Sequence, residues 1–202
     1  GNVSFYNQSP DGPIFPSPVI GMVGLLDNLS QRLTLDFKQE GDLIYLLGKS
    51  RDDLASSTYL SKILKIEDSP APHFDLEEEF ALQATIKNLN KKDILQSAHD
   101  VSDGGLFTTL LESAIPNNLG FQIKTNKNIR KDAYLFGESQ SRVIVSIDSQ
   151  NREQFETLIA ETTFELLGKV TSKDLQIDNE IWGESSEWAE DYNTALEKAM
   201  EG

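Results

Sequence analysis

Apolar and polar residues alternate along several short stretches of the chain, which is typical of β-strands with one buried face. Residues 141–147 show this pattern most clearly, because Val143, Val145 and Ile147 occupy alternate positions. The polar turn at residues 38–42 predicts that the strands on either side of it form a hairpin. Further strands are predicted at residues 19–26, 33–37, 43–47, 95–101, 121–124, 164–170 and 175–181.

Other stretches carry apolar residues at helical spacing. Asp75 is a residue type that caps helices, and Glu78 follows three positions later, which is the spacing of a capping box. Phe80, Ile86 and Leu89 then share one face of the helix that Asp75 is expected to open. Shorter helices are predicted at residues 57–64 and 154–160, after Ser102 and Asp103, and at residues 188–200.

The predicted strands and helices are mixed along the chain without strict alternation. This order predicts an α+β fold with a mixed sheet flanked by helices, rather than a doubly wound parallel sheet. The sequence contains no GxGxxG, Walker A, GxSxG or HExxH motif, so it does not point to the activities that these motifs mark.

Residues 98–106 combine the end of a predicted strand, a turn with two glycines and the start of a predicted helix. Ser102 and Asp103 have side-chain oxygens that can accept from the free N–H groups of a helix start. Gly104 and Gly105 would let an anion approach those N–H groups, which makes the turn a candidate anion site. Turns of this type also occur without a ligand, because glycine permits positive φ and close packing. Both interpretations stay open.

Charge and composition narrow the classes of partner. The chain has 33 acidic and 18 basic side chains and a formal net charge of −15, which repels nucleic acid and anionic membranes. It has no apolar run long enough for a membrane helix. With no cysteine, and with His73 and His99 as the two histidines, a His/Cys zinc site is not expected. His99 is expected to be a hydrogen-bonded structural residue. The absence of cysteine fits a reducing cytoplasm.

Three more motifs accompany the glycine turn: GNVSFYN at residues 1–7, PVIGMVGL at 18–25 and LFGESQSR at 135–142. Together, in this order and spacing, they closely resemble the synthetase subunits of phosphoribosylformylglycinamidine synthase over essentially the whole chain. The resemblance implies an ATP-dependent ligase that converts formylglycinamide ribonucleotide to its amidine with glutamine-derived ammonia. It also implies a domain like the C-terminal domain of aminoimidazole ribonucleotide synthetase.

The resemblance divides the chain at a specific point. Residues 1–28 correspond to the tail of an ATP-handling domain, and residues 29–202 to the C-terminal domain that follows it. The chain would then be the C-terminal part of the short bacterial form, inactive by itself because the catalytic base lies upstream. The implied partners are the upstream half of the same chain, a glutaminase subunit and a small bridging subunit. No nucleic acid or membrane partner is expected, and the expected location is the cytoplasm.

The resemblance also assigns roles to residues of the first motif. Gly1 corresponds to an ATP contact, Asn2 to a Mg²⁺ ligand and Ser4 to a contact with the ribonucleotide substrate. These residue types suit their roles, because an amide oxygen binds hard cations and a hydroxyl can donate to phosphate or amide groups. No catalytic residue is assigned within the chain.

A second set of residues includes Glu138, Ser139 and Gln140, which correspond to a substrate-contacting stretch in the first half of the family's proteins. In this second half they either line an auxiliary nucleotide site or only preserve the structure. The set consists of Asp100, Ser102, Gly104, Gly105, Glu138, Ser139 and Gln140. Residues 54–60 depart from the family pattern, since two glycines expected before Tyr59 are absent, which disfavours close ligand approach there.

Another function class remains open from the residues alone. The chain could be a non-catalytic nucleotide-binding or scaffold domain of a related ATP-dependent synthetase. Binding of ADP without turnover would favour this alternative. A selenophosphate synthetase or thiamine-phosphate kinase is disfavoured by the motifs at residues 1–7 and 137–142.

Overall fold

The computed structural model describes residues 8–14, 20–26, 28–66 and 68–201, with only the backbone of residue 201. The chain divides into two compact units, residues 1–32 and 33–202. In the first unit, β1 (Gln8–Ser9) pairs antiparallel with β2 (Gly12–Pro13), and a 3₁₀ turn covers Leu29–Gln31. The origin of residues 1–28 from an ATP-handling domain stays a prediction, because this division does not identify the domain they belong to.

The second unit is built on a mixed sheet of seven strands. These are β3 (Leu43–Leu47), β4 (Ser97–Asp100), β5 (Gly120–Ile123), β6 (Val143–Ile147), β7 (Phe164–Thr171), β8 (Asp174–Ile177) and β9 (Glu180–Glu184). Their order across the sheet is β4-β6-β3-β7-β5-β8-β9. Neighbouring strands are antiparallel except β5 and β8, which are parallel. The predicted α+β fold with a mixed sheet is confirmed.

Strand β3 belongs to both hydrophobic cores of this unit. Ile44 and Leu46 pack in the first core, whereas Tyr45 and Leu47 pack in the second, and all four are fully buried. Successive side chains of a strand point to opposite faces of the sheet. A strand that is covered on both faces therefore consists of consecutive apolar residues instead of alternating ones.

Helices cover both faces of the sheet. They are α1 (Leu76–Lys91), α2 (Gly105–Ala114), α3 (Lys131–Phe136), α4 (Arg152–Leu158) and α5 (Ser185–Glu201). Helices α2, α3 and the first turns of α5 pack on the first core, and α1 and α4 pack on the second. A π-helical turn covers Tyr59–Ile63, and 3₁₀ turns cover Ile115–Asn117 and Ser149–Asn151. In the described part of the chain, no helix has the length and apolar character needed to span a membrane.

The strand predicted at residues 19–26 is wrong over its described part. Residues 20–26 lie in no strand, and Met22 and Val23 are almost fully exposed. A strand needs a neighbour for its N–H and C=O groups, and the described residues of the first unit offer this run none. Its apolar character therefore does not make it part of a sheet.

The predicted hairpin of residues 33–37 with β3 is also wrong. The Thr34 carbonyl accepts from the Ala98 N–H at 3.2 Å, and the Phe37 N–H donates to the Ser113 carbonyl at 2.8 Å. Because these bonds go to two different segments, no continuous ladder forms. Strand β3 pairs instead with β6 and β7, which lie far away in the sequence.

Helix α1 begins where predicted, but the capping box is only half formed, because the Glu78 carboxylate binds Arg51. Asp75 caps the helix, since its Oδ1 accepts from the Glu78 N–H at 2.9 Å. The predicted apolar face is only partly right, because Phe80 is 74% exposed whereas Leu89 is fully buried. Leu82, which the pattern did not single out, supplies the other buried position of this helix.

Two local features of the fold cannot be predicted from the spacing of apolar residues. The single strand predicted at residues 175–181 is two strands, β8 and β9, joined by a tight turn in which Asp178 has a φ of 56°. Asp178 accepts from Thr125 at 2.9 Å, and this contact holds the turn. Helix α3 was not predicted, because its six residues are too few to show a helical period.

A buried carboxyl group lies where β3 begins. Asp42 is 1% exposed, and its Oδ2 has no hydrogen-bond partner among the described residues. Its Oδ1 accepts from Gln39 at 3.1 Å. Asp42 directly precedes Leu43 and Asp148 directly follows Ile147, which is the antiparallel partner of Leu43, so the two carboxyl groups lie on neighbouring strands close to each other. Burial raises the pKa of Asp42, the Gln39 hydrogen bonds partly oppose this, and the Asp148 charge raises it further.

We predict that Asp42→Asn removes part of the pH dependence of folding. A carboxyl group with a raised native pKa stabilises the protein fully below its unfolded pKa, and this contribution is lost as pH rises through the native pKa. At pH 7 the variant should be more stable by about 0.5–1 kcal/mol, the scale of a repulsive cross-strand pair. Urea unfolding at acidic and neutral pH measures this. Asp174→Asn, at an exposed position, is the control, and an equal pH dependence in wild type and Asp42→Asn would contradict the prediction.

Candidate functional site

The glycine turn connects β4 to α2 as the sequence predicts. Strand β4 ends at Asp100, and α2 begins at Gly105 with Gly104 as its N-cap in the left-handed region, at a φ of 81°. The predicted capping by Ser102 or Asp103 is wrong, because Gly104 occupies the cap and no side chain of the turn caps the helix. The Ser102 hydroxyl donates to Asp100 Oδ2 instead, and both side chains are exposed.

The cap of α2 comes from a distant carboxylate. Oε1 of Glu138 accepts from the Gly104 N–H at 2.8 Å and from the Thr58 N–H at 2.8 Å. Thr58 directly precedes the π-helical turn, so one oxygen binds the first N–H groups of two helical segments. The dipole of a helix favours negative charge at this end. One donor of the predicted anion site is therefore bonded to the protein's own carboxylate.

Close packing explains why the second residue of the turn is a glycine. A Cβ at Gly105 would lie 2.7 Å from the Phe136 carbonyl carbon and 2.8 Å from the Gly137 oxygen. Its φ of 73° is also a conformation that favours glycine. The start of α2 thus touches the backbone of the loop that carries Glu138, and only glycine fits there.

A buried arginine fixes that loop. Arg142 is 2% exposed, and its guanidinium donates to the Gly137 carbonyl at 2.7 Å and to the Ser139 carbonyl at 3.0 Å. No described carboxylate forms a salt bridge with it. Burial lowers the pKa of Arg142 to about 10, so the group stays charged at neutral pH.

A cavity of about 960 Å³ lies between α1 and the loops at residues 100–103 and 138–143. One wall is apolar and includes Leu82 and Ile86 of α1. Its charged lining residues are Glu79, Asp100, Asp103 and Glu138, against Lys87 and Arg142. This excess of carboxylates disfavours free phosphate, and it suits hydrogen-bond donors or a phosphate that carries a divalent cation.

Asp100 keeps its negative charge at this site. The hydrogen bond from Ser102 lowers the pKa of Asp100, although partial burial opposes the shift. Nearby His99 acts in the same direction as Ser102.

The structure brings most of the predicted second set together. Asp100, Ser102, Glu138 and Gln140 line the cavity, whereas Gly104, Gly105 and Ser139 lie beside them in the backbone without lining it. Ser139 is buried, and its carbonyl is one of the two that bind Arg142. The residues predicted from the first motif, Gly1, Asn2 and Ser4, lie outside the described residues.

Sequence analysis missed several residues around the cavity. Arg142 was part of the quoted LFGESQSR motif, but an arginine in a predicted strand gives no sign of being buried. Ser141 has a φ of 61°, and its hydroxyl donates to Glu79 of α1 at 2.8 Å, and both residues line the cavity. A positive φ at a non-glycine residue is strained and is common near functional sites. Neither feature leaves a pattern in the sequence.

His99 has the structural role that the sequence predicts. Its Nε2 lies 2.8 Å from Glu112 Oε2, and the Tyr192 hydroxyl donates to the other oxygen of Glu112 at 2.7 Å. The network joins β4, α2 and α5. Within the described ranges, no three His, Cys, Asp or Glu side chains are grouped so that they could hold a metal ion.

Residues 39–178 match the sequence family described as "AIR synthase related protein, C-terminal domain". The chain belongs to this family. The match covers the strands from β3 to β8 and the whole cavity-lining loop at residues 138–143.

Curated relatives of this chain include the synthase subunit that its motifs resemble. The phosphoribosylformylglycinamidine synthase subunit PurL of Alkaliphilus metalliredigens is 39% identical over 207 aligned residues, which cover 100% of this chain and 28% of that protein. PurL of Thermoanaerobacter pseudethanolicus is 39% identical over 154 residues, which cover 76% of the chain and 21% of the relative. The chain therefore spans less than a third of the length of these relatives. The resemblance to the synthetase subunit is confirmed.

Solved structures of other proteins share the fold. Thermotoga maritima PurL complexed with FGAR superposes with a TM-score of 0.67 at 15% identity, covering 80% of this chain and 30% of that one. The hydrogenase maturation protein HypE gives a TM-score of 0.54 at 17% identity, covering 77% of this chain and 54% of that one. At these identities the likeness concerns the fold.

We predict that Gly105→Ala destabilises the chain more than Gly41→Ala does. Both glycines have positive φ, which costs about 1–2 kcal/mol for alanine. A Cβ at Gly41 meets nothing within 4 Å, whereas one at Gly105 collides with the backbone of Phe136 and Gly137. The collision should add about 1–3 kcal/mol. Chemical denaturation of both variants measures the difference, and equal losses would show that the close approach is unimportant.

Proposed function

We propose that this chain is part of the synthetase subunit of a phosphoribosylformylglycinamidine synthase. The whole enzyme is a ligase of purine biosynthesis that converts formylglycinamide ribonucleotide to formylglycinamidine ribonucleotide. ATP phosphorylates the amide oxygen of the substrate, and glutamine-derived ammonia then displaces the phosphate. The observation that carries this proposal is the 39% identity to A. metalliredigens PurL over 100% of the chain.

The complete activity requires residues beyond this chain. This chain corresponds to 28% of the length of A. metalliredigens PurL. No catalytic residue is assigned within the chain. Its first partner is thus the upstream half of the same polypeptide. The structure of PurLQS from Thermotoga maritima supports assembly into a synthase complex. The partners that we propose in it are a glutaminase subunit and a small bridging subunit. The proposed location is the cytoplasm, and the net charge of −15 argues against nucleic-acid and membrane partners.

The motif at residues 1–7 contributes to the principal active site in this proposal. Gly1 would contact ATP, Asn2 would supply an oxygen ligand to Mg²⁺, and Ser4 would donate to the ribonucleotide. Thermotoga maritima PurL was solved in complex with ATP, which supports ATP as the nucleotide. Mg²⁺ suits such a site because it is usually bound by one or two protein ligands together with substrate phosphates.

The cavity next to α1 would serve as an auxiliary nucleotide site. Its volume of about 960 Å³ is near the upper end of ligand sites, which span about 300–1,000 Å³. Glu138 and Asp100 can accept hydrogen bonds from ribose hydroxyl or amino groups of a ligand. The acidic lining favours entry of the nucleotide as its Mg²⁺ complex, whose charge is less negative.

A second candidate function is that of a non-catalytic nucleotide-binding or scaffold domain. The bond between Glu138 and Gly104 favours it, because a carboxylate of the protein itself already occupies one N–H group at the start of α2. Binding of ADP to the chain, together with failure of the chain to support catalysis in a PurL framework, would favour this alternative.

We predict that the chain is active only when joined to the missing part of the enzyme. The aligned segment of A. metalliredigens PurL is replaced by this chain, and amidine formation is measured with formylglycinamide ribonucleotide, ATP and ammonia. The chimera should turn over, whereas the isolated chain should show no substrate-dependent ATPase.

The matched control is a second chimera that carries the corresponding segment of HypE, which has the same fold at a TM-score of 0.54. This chimera should be inactive, since it shares the fold and lacks the motifs. A folded but inactive first chimera, or turnover by the isolated chain, would contradict the proposed function.

We predict different effects for three substitutions in the active chimera. Ser4→Ala should lower kcat/KM for the ribonucleotide by about ten- to a hundredfold, since a hydrogen bond to a charged group is worth about 1.5–3 kcal/mol. Asn2→Ala should raise the Mg²⁺ concentration required. Ser102→Ala should change stability by less than about 0.5 kcal/mol, because its hydroxyl is exposed and does not cap α2. Steady-state kinetics and thermal melts distinguish these effects, and a large kinetic loss confined to Ser102→Ala would move the site to the glycine turn.

A further inference from the structure

The guanidinium of Arg142 is buried beside the cavity, and its described hydrogen bonds go to backbone carbonyls. Its two hydrogen bonds go to the carbonyls of Gly137 and Ser139, which are the residues on either side of Glu138. The backbone of Gly137 is held from another direction as well, since a Cβ there would lie 2.4 Å from the carbonyl oxygens of Ala133 and Asp53. The backbone that carries Glu138 is therefore fixed at both of its neighbours.

The position of Glu138 determines which segments meet at the cavity. Its Oε1 lies 2.8 Å from the N–H groups of both Thr58 and Gly104, which are separated by 46 residues along the chain. The side chain of Glu138 is half-buried and lines the cavity. No described residue donates a hydrogen bond to its second carboxylate oxygen.

We infer that Arg142 is a positioning residue that holds Glu138 in place as a bridge between the π-helical turn and α2. The Gly104 N–H is then used within the protein, and the anionic group of a ligand does not bind at the glycine turn. The cavity presents a fixed carboxylate oxygen, which selects the part of a ligand that donates hydrogen bonds, such as ribose hydroxyls. The part of this inference that concerns the ligand rests on the proposed auxiliary nucleotide site. The part that concerns the Glu138 bridge does not depend on that proposal.

The first experiment tests the bridge without any ligand. Amide hydrogen exchange of Thr58 and Gly104 is measured by NMR in the wild-type chain and in Arg142→Met, Arg142→Lys and Glu138→Gln. Arg142→Met should raise the exchange rates of both amides at least tenfold, because the carboxylate is no longer held against them. Arg142→Lys should give intermediate rates, since a single ammonium group cannot bind both carbonyls in the same fork.

Two controls separate positioning from a general loss of stability. Arg152→Met removes an arginine that is half exposed and pairs with Glu156, and it should leave both amides unchanged. Exchange within β3 should also stay unchanged in the cavity variants. If Arg142→Met does not fold, Arg142→Lys and Glu138→Gln decide the question. Wild-type protection of Thr58 and Gly104 in folded Arg142→Met or Arg142→Lys would overturn the inference, and so would protection lost equally across the whole sheet.

The second experiment tests the consequence for ligand binding with ADP and with inorganic phosphate as probes. Calorimetry should show a Kd for ADP that is about tenfold weaker in Arg142→Met and partly restored in Arg142→Lys. Inorganic phosphate should leave the Thr58 and Gly104 amide signals of the wild type unchanged. Phosphate-dependent shifts of both signals would overturn the inference. Failure of the wild type to bind ADP would refute the auxiliary nucleotide site alone, because the exchange experiment supports or overturns the bridge independently.

Discussion

The arrangement around the cavity depends on the burial of one guanidinium group. A buried charge is costly unless it is hydrogen-bonded, and no described carboxylate is paired with Arg142. The chain satisfies the group with two carbonyls of its own loop, which forces that loop to turn around the side chain. The turn directs Glu138 toward the starts of two helical segments. The geometry of the site thus follows from one solvation requirement.

Close packing of backbones reinforces this arrangement. Helix α2 can approach the loop only because Gly105 lacks a Cβ, and the loop can approach residue 53 only because Gly137 lacks one. The hydrogen bonds of Glu138 then operate between segments whose separation is already set by sterics. A rigid carboxylate at the edge of a large cavity is suited to selecting a ligand by its donors. This suits a domain that contributes to ligand binding.

The sequence could predict the elements whose causes are local. The cap of α1 by Asp75, the alternation in β6 and the change from strand to helix at the glycine turn all depend on neighbouring residues. The composition of the cavity lining was partly predictable, because Asp100 and Glu138 lie in recognisable motifs. The cap of α2 was not predictable, since it comes from Glu138, 34 residues away. The placement of residues 33–37 also depends on distant partners, and their alternation was misleading for that reason.

Apolar pattern alone also misjudged which residues are buried. Phe80 of α1 and Leu196 of α5 follow helical spacing, yet both are largely exposed. Periodicity identifies the apolar side of an element, but burial depends on whether another surface covers it. Residues 20–26 show the same limit for an apolar run without a described strand partner.

The two-sided burial of β3 has a consequence for how this family can diversify. Inserting or deleting one residue within the strand would move Ile44 and Leu46 to the side of Tyr45 and Leu47, and both cores would be disrupted at once. Exchange of one apolar side chain for another disturbs a single core and can be compensated by its neighbours. We therefore expect descendants of this sequence to vary β3 by substitution and to keep its length. Changes in length should accumulate in the exposed turns between the strands.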